Sequence, residues 1–188
     1  MDVARRVFVG VGLAGSAAWL AALRRFGDAG VSRLPPSVRI AEVDNAGRLV
    51  RVAEVPSVRK SDAEWRKVLA VDQYTMTRRA DTELAFAGEY WNFHGDGLYR
   101  CVCCGTALFD SKTKFSSGTG WPSFYEPVAR ENVAESADRS WGMARTAVSC
   151  ARCGAHLGHV FEDGPPPGGR RYCVNSVGIK FRNRDNFT

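Results

Sequence analysis

Over its last two thirds the sequence carries almost no surplus of charge: residues 61–188 hold sixteen Lys/Arg against fifteen Asp/Glu. A near-neutral stretch lacks the electrostatic footprint that phosphate backbones require, which excludes a nucleic-acid surface there. Of the net charge of +6, +5 lies in residues 1–60, where ten Lys/Arg face five Asp/Glu. A run of about 20 apolar residues, the usual length of a membrane-spanning helix, is also missing. The nearest approach, Val7 to Leu23, is uncharged for 17 residues and is diluted by Gly10, Gly12 and Gly15. Internal repeats are absent apart from one pair of cysteine motifs, and no strong helical pattern follows Tyr90. Together these exclude a solenoid and a helical bundle.

What is there begins with glycine, 19 in 188 residues, which suits short strands and many turns in a single domain. Three segments follow from patterning. In residues 1–30, Arg5 and Arg6 precede the uncharged run, and Arg24 and Arg25 close it. A basic start followed by an apolar stretch is the pattern of an export signal, and Ala4-Arg5-Arg6-Val7-Phe8-Val9 resembles the twin-arginine type. The alternatives are a membrane anchor through residues 7–23 and a buried core helix. The expected location is therefore the bacterial periplasm or its membrane, or the cytoplasm if residues 1–30 are no signal. Residues 31–60 read as a connector broken by Pro35 and Pro36, with a β-hairpin from Val38 to Val55 around Asp44-Asn45-Ala46-Gly47. Residues 61–188 form the remaining domain. Ser61-Asp62-Ala63-Glu64 is a capping box opening a short helix, and a second helix is expected from Asp72 to about Arg79.

Four of the six cysteines form two C-x-x-C-G units, Cys101/Cys104 before Gly105 and Cys150/Cys153 before Gly154, with 45 residues between Cys104 and Cys150. Thiolates spaced in this way can face one ion while the glycine turns the backbone around the sulfurs. Four of them suit one structural, tetrahedral Zn2+. Two disulfides, a redox-active C-x-x-C and an iron centre use the same residue types and remain alternatives. Only the 101/104 register matches the second unit, which leaves Cys103 as the spare.

Cys173 lies in Arg171-Tyr172-Cys173-Val174-Asn175, a strand-like run in which Arg171, Cys173 and Asn175 would share a face. A guanidinium beside a thiol eases loss of its proton, and the thiolate is the reactive form. Asn175 could hold a substrate amide or oxygen. An inert buried cysteine is the competing reading. Ser117 to Phe124, rich in glycine around Trp121 and Pro122, presents the indole on a surface unless Trp121 is simply core. His156 and His159 are two of only three histidines, and either can carry a proton near neutral pH. On a plain strand they would face opposite sides, unless Gly158 bends the chain.

Six strings in order, Gly88-Glu89-Tyr90-Trp91, Tyr99 to Gly105, Gly120-Trp121-Pro122-Ser123-Phe124, His156 to Phe161, Asp163-Gly164-Pro165 and Arg171 to Ser176, resemble those of the B-type methionine sulfoxide reductases. Together they span residues 61–188. That resemblance implies a mainly β fold, β-tent-like, with two small antiparallel sheets, short N-terminal helices and a four-cysteine zinc site. It implies Cys173 as nucleophile and Cys101, Cys104, Cys150 and Cys153 as the ligands of zinc. It also implies that Trp121 packs the substrate methyl, and that His156, His159, Asp163, Arg171 and Asn175 line the site and polarise the sulfoxide oxygen. Substrates would be oxidised proteins or peptides carrying methionine-R-sulfoxide, or the free residue, and a thioredoxin-like thiol protein would recycle the enzyme. A zinc-ribbon binding module without catalysis would explain the knuckles alone. One position departs from the pattern: Thr119 stands where many members carry a resolving cysteine, so an external thiol or Cys103 must reduce the oxidised Cys173.

Overall fold

The computed structural model describes residues 34–184. The export signal or anchor expected in residues 1–30 lies outside them. Among the described residues no helix is long and apolar enough to cross a membrane.

Strands β1 (Ser37–Val43) and β2 (Leu49–Pro56) pair antiparallel. Asp44 makes the turn between them, its carboxylate accepting the Arg48 amide at 2.9 Å, and Gly47 takes a left-handed φ of +82°. Two helices follow, α1 (Asp62–Val68) and α2 (Val71–Arg79). The Ser61–Glu64 capping box forms in both directions, a device worth about 1 kcal/mol. Trp65 is the buried residue of α1, and the Arg78 guanidinium of α2 lies 4.7 Å from its ring centre.

The rest of the chain is β-structure. A three-stranded antiparallel sheet has the order β11-β3-β4, from β3 (Gly97–Cys101), β4 (Ala107–Asp110) and β11 (Ile179–Asn183). A six-stranded antiparallel sheet has the order β5-β6-β10-β9-β8-β7. Its strands are β5 (Lys114–Phe115), β6 (Ser123–Phe124), β7 (Val133–Asp138), β8 (Arg145–Cys150), β9 (His156–Phe161) and β10 (Arg171–Val174). The expected mainly β architecture with short helices ahead of it is present, with the β1–β2 pair as a third, two-stranded sheet. The core lies between the two larger sheets. Phe109 of β4 stacks on Phe124 of β6 with ring centres 4.5 Å apart, and Tyr99 of β3 meets Phe124 edge-on at 5.0 Å.

The buried Asn132 side chain ties the β1–β2 hairpin to this body, alongside Arg100 and Arg184, which donate to the Val43 and Ala46 carbonyls at 3.3 and 2.6 Å. Asn132 accepts the Ala41 amide at 2.9 Å and donates to the carbonyls of Ala41 and Ala107 at 2.9 and 2.8 Å. A single amide thus satisfies backbone groups of two sheets that no strand pairing reaches.

Candidate active site and metal centre

The two cysteine units are the tight turns of two hairpins. Cys101 ends β3 and Cys150 ends β8, and each turn delivers the chain into the next strand, β4 or β9. Their backbones match: Gly105 N donates to Cys101 O and Gly154 N to Cys150 O, both at 2.8 Å, with φ of +75° and +67° at the two glycines. Such angles are natural only to glycine, which is why each unit ends in one.

The sulfurs of Cys101, Cys104, Cys150 and Cys153 all lie within 4.8 Å of one another, and the pairs 101/153 and 104/150 are both 3.6 Å apart. A tetrahedron with metal–sulfur bonds of about 2.3 Å has edges of about 3.8 Å, so the donor set fits one ion in size and chemistry. None of the six cysteines is paired in a disulfide, so neither unit is one. Cys103 is not one of these four; its sulfur lies beside those of Cys101 and Cys153 and donates to Thr77 Oγ1 of α2 at 3.4 Å.

Cys173 sits half-buried in β10, with Ser123 of β6 opposite on one side and His159 of β9 opposite on the other. Directly opposed residues of antiparallel strands point to the same face, so Cys173 and His159 share one. Arg171, two residues before the thiol, is buried and makes a two-pronged ion pair with Asp163 at 2.9 and 2.8 Å. Thr119 Oγ1 approaches Cys173 Sγ at 3.9 Å. Arg171 does not have the net effect on the thiol that its place in the sequence suggests. Burial pushes the Cys173 thiol above its ordinary range, outweighing the downward pull of Arg171 and of the Thr119 and Ser123 hydroxyls. The guanidinium divides its charge between the thiol and Asp163, while desolvation acts on the thiolate undiluted.

The two histidines come to one side because the β8–β9 register slips at Val148/Ser149, and Gly158 takes φ of +154°. No other residue fits at 158, since a Cβ would lie 2.1 Å from the Cys173 carbonyl oxygen. With this bulge the rings of His156 and His159 meet edge-to-face at 5.4 Å. His159 Nε2 contacts Asp138 Oδ2 at 2.8 Å, and Arg145 reaches the same oxygen at 2.8 Å. His156 Nε2 is buried without a hydrogen-bond partner among the described residues, and burial lowers its pKa to about 4. Both rings open onto a groove of about 680 Å³ that Asp81, Asp138, Arg139 and Arg145 also line.

Trp121 lies at the half-buried edge of the site, its indole N–H donating to the Glu83 carbonyl at 3.1 Å. Asn175 does not present its amide to the thiol's face. Its Oδ1 accepts the Glu83 amide at 3.1 Å and its Nδ2 donates to Asp81 O at 3.3 Å. The strand ends at Val174, and from there Asn175 turns toward the 81–83 loop. Glu83, which no sequence motif marks, is buried, and its carboxylate accepts the amides of Ser176 and Val177 at 2.6 and 3.1 Å. Asp138 is equally silent in sequence, one of three acidic residues in the polar stretch 130–140.

The arrangement joins a half-buried thiol, a neutral imidazole, a second imidazole backed by a carboxylate, and an anchored indole. A family model described as the SelR domain matches residues 69–183. The peptide methionine sulfoxide reductase MsrB of Thiobacillus denitrificans is 54% identical over 126 residues, which cover 67% of this chain and 96% of that protein. Its counterpart in Pseudomonas putida is 55% identical over 128 residues, 68% of this chain and 98% of the relative. The chloroplastic peptide methionine sulfoxide reductase B1 of Oryza sativa is 58% identical over 123 residues, 65% of this chain and 57% of that protein. With more than half of its length matched by the family model and nearly the full length of bacterial relatives covered, the chain belongs to the SelR-domain family, the B-type methionine sulfoxide reductases.

Proposed function

We propose that this peptide-methionine (R)-S-oxide reductase works through the sulfur of Cys173. The observation that carries the assignment is the position of Cys173, opposite His159 and beside Arg171, as the cysteine outside the two knuckle segments. The sulfoxide oxygen first takes a proton or strong hydrogen bonds from the histidine pair, which makes its sulfur electrophilic. The Cys173 sulfur then attacks, the oxygen passes to it, and methionine leaves as the thioether. Cys173 gives up two electrons and becomes a sulfenic acid. Two equivalents of an external thiol return it to the thiol, yielding a disulfide and one water.

Trp121 supplies an apolar wall for the methyl group. Asp163 holds Arg171, and Asn175 holds the loop that anchors Trp121, so both act through a neighbour. Substrates are methionine-R-sulfoxide in oxidised proteins or peptides, or as the free residue.

Zinc is the ion we assign to Cys101, Cys104, Cys150 and Cys153. Bound there, it would staple the turn of one sheet to the turn of the other and take no part in the reaction. The reductant is a thioredoxin-like thiol protein attacking Cys173 directly, since Thr119 cannot form a disulfide and Cys103 is engaged with Thr77. If residues 1–30 act as a twin-arginine signal or as an anchor through residues 7–23, the enzyme repairs proteins in the bacterial periplasm or at its membrane.

Cys173→Ser tests the assignment. Reduction of a methionine-R-sulfoxide peptide should stop while the fold and zinc content stay, because a hydroxyl is a far weaker nucleophile. Turnover surviving in that variant would remove Cys173 from the role, and a folded protein with zinc and no turnover in its parent form would favour the binding module.

A further inference from the structure

Thr119 fills the position of a missing cysteine, yet its surroundings are built. It stands between Gly118 and Gly120, whose φ values of +73° and +90° turn the chain tightly on both sides. Gly120 is pinned in turn, its carbonyl accepting the Phe86 amide at 2.8 Å. The backbone that carries the Thr119 hydroxyl is therefore held in place beside Cys173. Behind it run two more hydroxyls. Ser117 Oγ is 2.9 Å from Thr119 Oγ1 and 2.8 Å from Ser123 Oγ, and Ser123 Oγ is 3.3 Å from the Trp121 carbonyl.

We propose that Ser123, Ser117 and Thr119 form a directed hydrogen-bond chain that stabilises the anionic forms of the Cys173 sulfur, the attacking thiolate and the sulfenate that follows. The proposal rests on the reading of Cys173 as the nucleophile. Each hydroxyl has one proton to give. With a neutral thiol, Cys173 donates to Thr119, Thr119 to Ser117, Ser117 to Ser123, and Ser123 to the Trp121 carbonyl. With an anionic sulfur the protons swing the other way: Ser117 donates to Thr119 and Thr119 to the sulfur, while Ser123, opposite on β6, turns its one proton to Ser117 or to the sulfur itself. Ser117 Oγ also lies 3.4 Å from the Thr119 amide, which keeps the middle of the chain in register. No proton is transferred along the chain; three hydroxyls rotate. Chains of this kind polarise one another, so the last donor is stronger than a lone hydroxyl.

The chain also answers the energetic problem of the site, where burial penalises the thiolate. The other charged or titratable groups around the sulfur are Arg171 on its own strand, which is shared with Asp163, and His159 opposite on β9. The β6 side offers Ser123 and Thr119, which are uncharged at every pH of interest. Threonine here is thus a donor to the reacting sulfur rather than an empty resolving position.

The experiment follows iodoacetamide labelling of Cys173 against pH, read at its own peptide by mass spectrometry, in the full zinc-loaded protein. Thr119→Val keeps the shape and removes the donor. Its labelling midpoint should rise by about one pH unit, as loss of one hydrogen bond to an anion predicts. Thr119→Ser should restore the parent midpoint. Ser117→Ala does not touch the sulfur, yet should raise the midpoint by a smaller amount because it cuts the chain. An unchanged midpoint in Thr119→Val, with zinc and melting temperature retained, overturns the proposal; a shift in Thr119→Val but none in Ser117→Ala overturns the chain. The midpoint is read whether or not Cys173 is the nucleophile. A failure of that underlying reading appears separately, as methionine formed in a single turnover with Cys173 still a thiol.

Discussion

His159 Nε2 and Asp138 Oδ2 lie 2.8 Å apart, on β9 and at the end of β7, two strands away across β8. Arg145 and the Ser140 amide hold the same carboxylate at 2.8 and 2.9 Å, and the Ser140 hydroxyl and amide, with His159, keep its pKa well below the usual carboxylate range. Asp138 is therefore an anion wherever the enzyme works, and it fixes Nε2 of His159 as the donor nitrogen. Asp138→Asn keeps the shape but removes the carboxylate that orients the His159 ring. Turnover should fall by about tenfold or more, in line with what a positioned acid contributes. Because Asp138 acts through His159, KM should change little, and steady-state kinetics of the variant separate the two.

His156 makes stability depend on pH. Its folded pKa, lowered to about 4 by burial, lies below the ordinary 6.5, so the unfolded chain binds the proton more readily. The contribution is complete above pH 6.5 and is lost as pH falls toward 4. Its size is at most about 3 kcal/mol by linkage. Urea unfolding from pH 7.5 to 4.5 should show this slope in the parent and a flatter one in His156→Gln.

Asn175, Glu83 and Trp121 form a relay of position, since Asn175 holds the backbone that accepts the indole N–H. Trp121→Phe removes that hydrogen bond and keeps an apolar ring. KM should rise several-fold with kcat less affected, because orientation of the methyl group rather than chemistry is lost. Asn175→Ala should reproduce the effect without touching Trp121, at an added cost of about 1–3 kcal/mol for the buried Glu83 amide left unpaired. Peptide kinetics alongside thermal melts of both variants test this.

Local chemistry made the helices and strands legible. Ser61 and Glu64 announce a helix start by their own hydrogen bonds, and Arg171 and Cys173 share a face because strand side chains alternate. What spacing could not convey was the third dimension. Asn175 obeys the same alternation on paper, yet the strand ends one residue earlier and the side chain turns to the 81–83 loop. The cysteine spacing named four ligands but not that they sit on turns of two different sheets. Glu83 and Asp138 act across long separations, where single residues leave no periodic trace. The thiol's ionisation is legible only in part for a related reason: the downward pull of Arg171 is visible beside Cys173 in sequence, whereas burial and the competing Asp163 are properties of the fold.

The cysteine cluster joins the turns of two different sheets. Cys150→Ser removes one ligand at a fully buried position. Zinc should be lost and unfolding should occur at much lower denaturant, because the binding free energy of a structural ion is part of the folding free energy. Metal analysis and urea titration check the outcome; a variant without metal that unfolds like the parent would separate the cluster from folding.

Recycling turns on Cys103. Its sulfur is committed to Thr77 on α2, and its backbone runs between two cluster cysteines, so any journey to Cys173 would disturb the knuckle. A disulfide needs Cα atoms within about 7 Å, a tolerance that a pinned turn cannot supply by side-chain rotation. An external thiol meets neither obstacle, since Cys173 is only half-buried and opens to the site. Cys103→Ala should therefore keep turnover with both a thioredoxin-like protein and a small dithiol within about twofold of the parent, a surface-like change in stability and no more. Assays with the two reductants, alongside zinc content and single-turnover methionine yield, decide the matter. A selective loss of thioredoxin-supported turnover, with zinc and the single-turnover step intact, would show that Cys103 reduces the sulfenic acid and that the knuckle is more mobile than its hydrogen bonds imply.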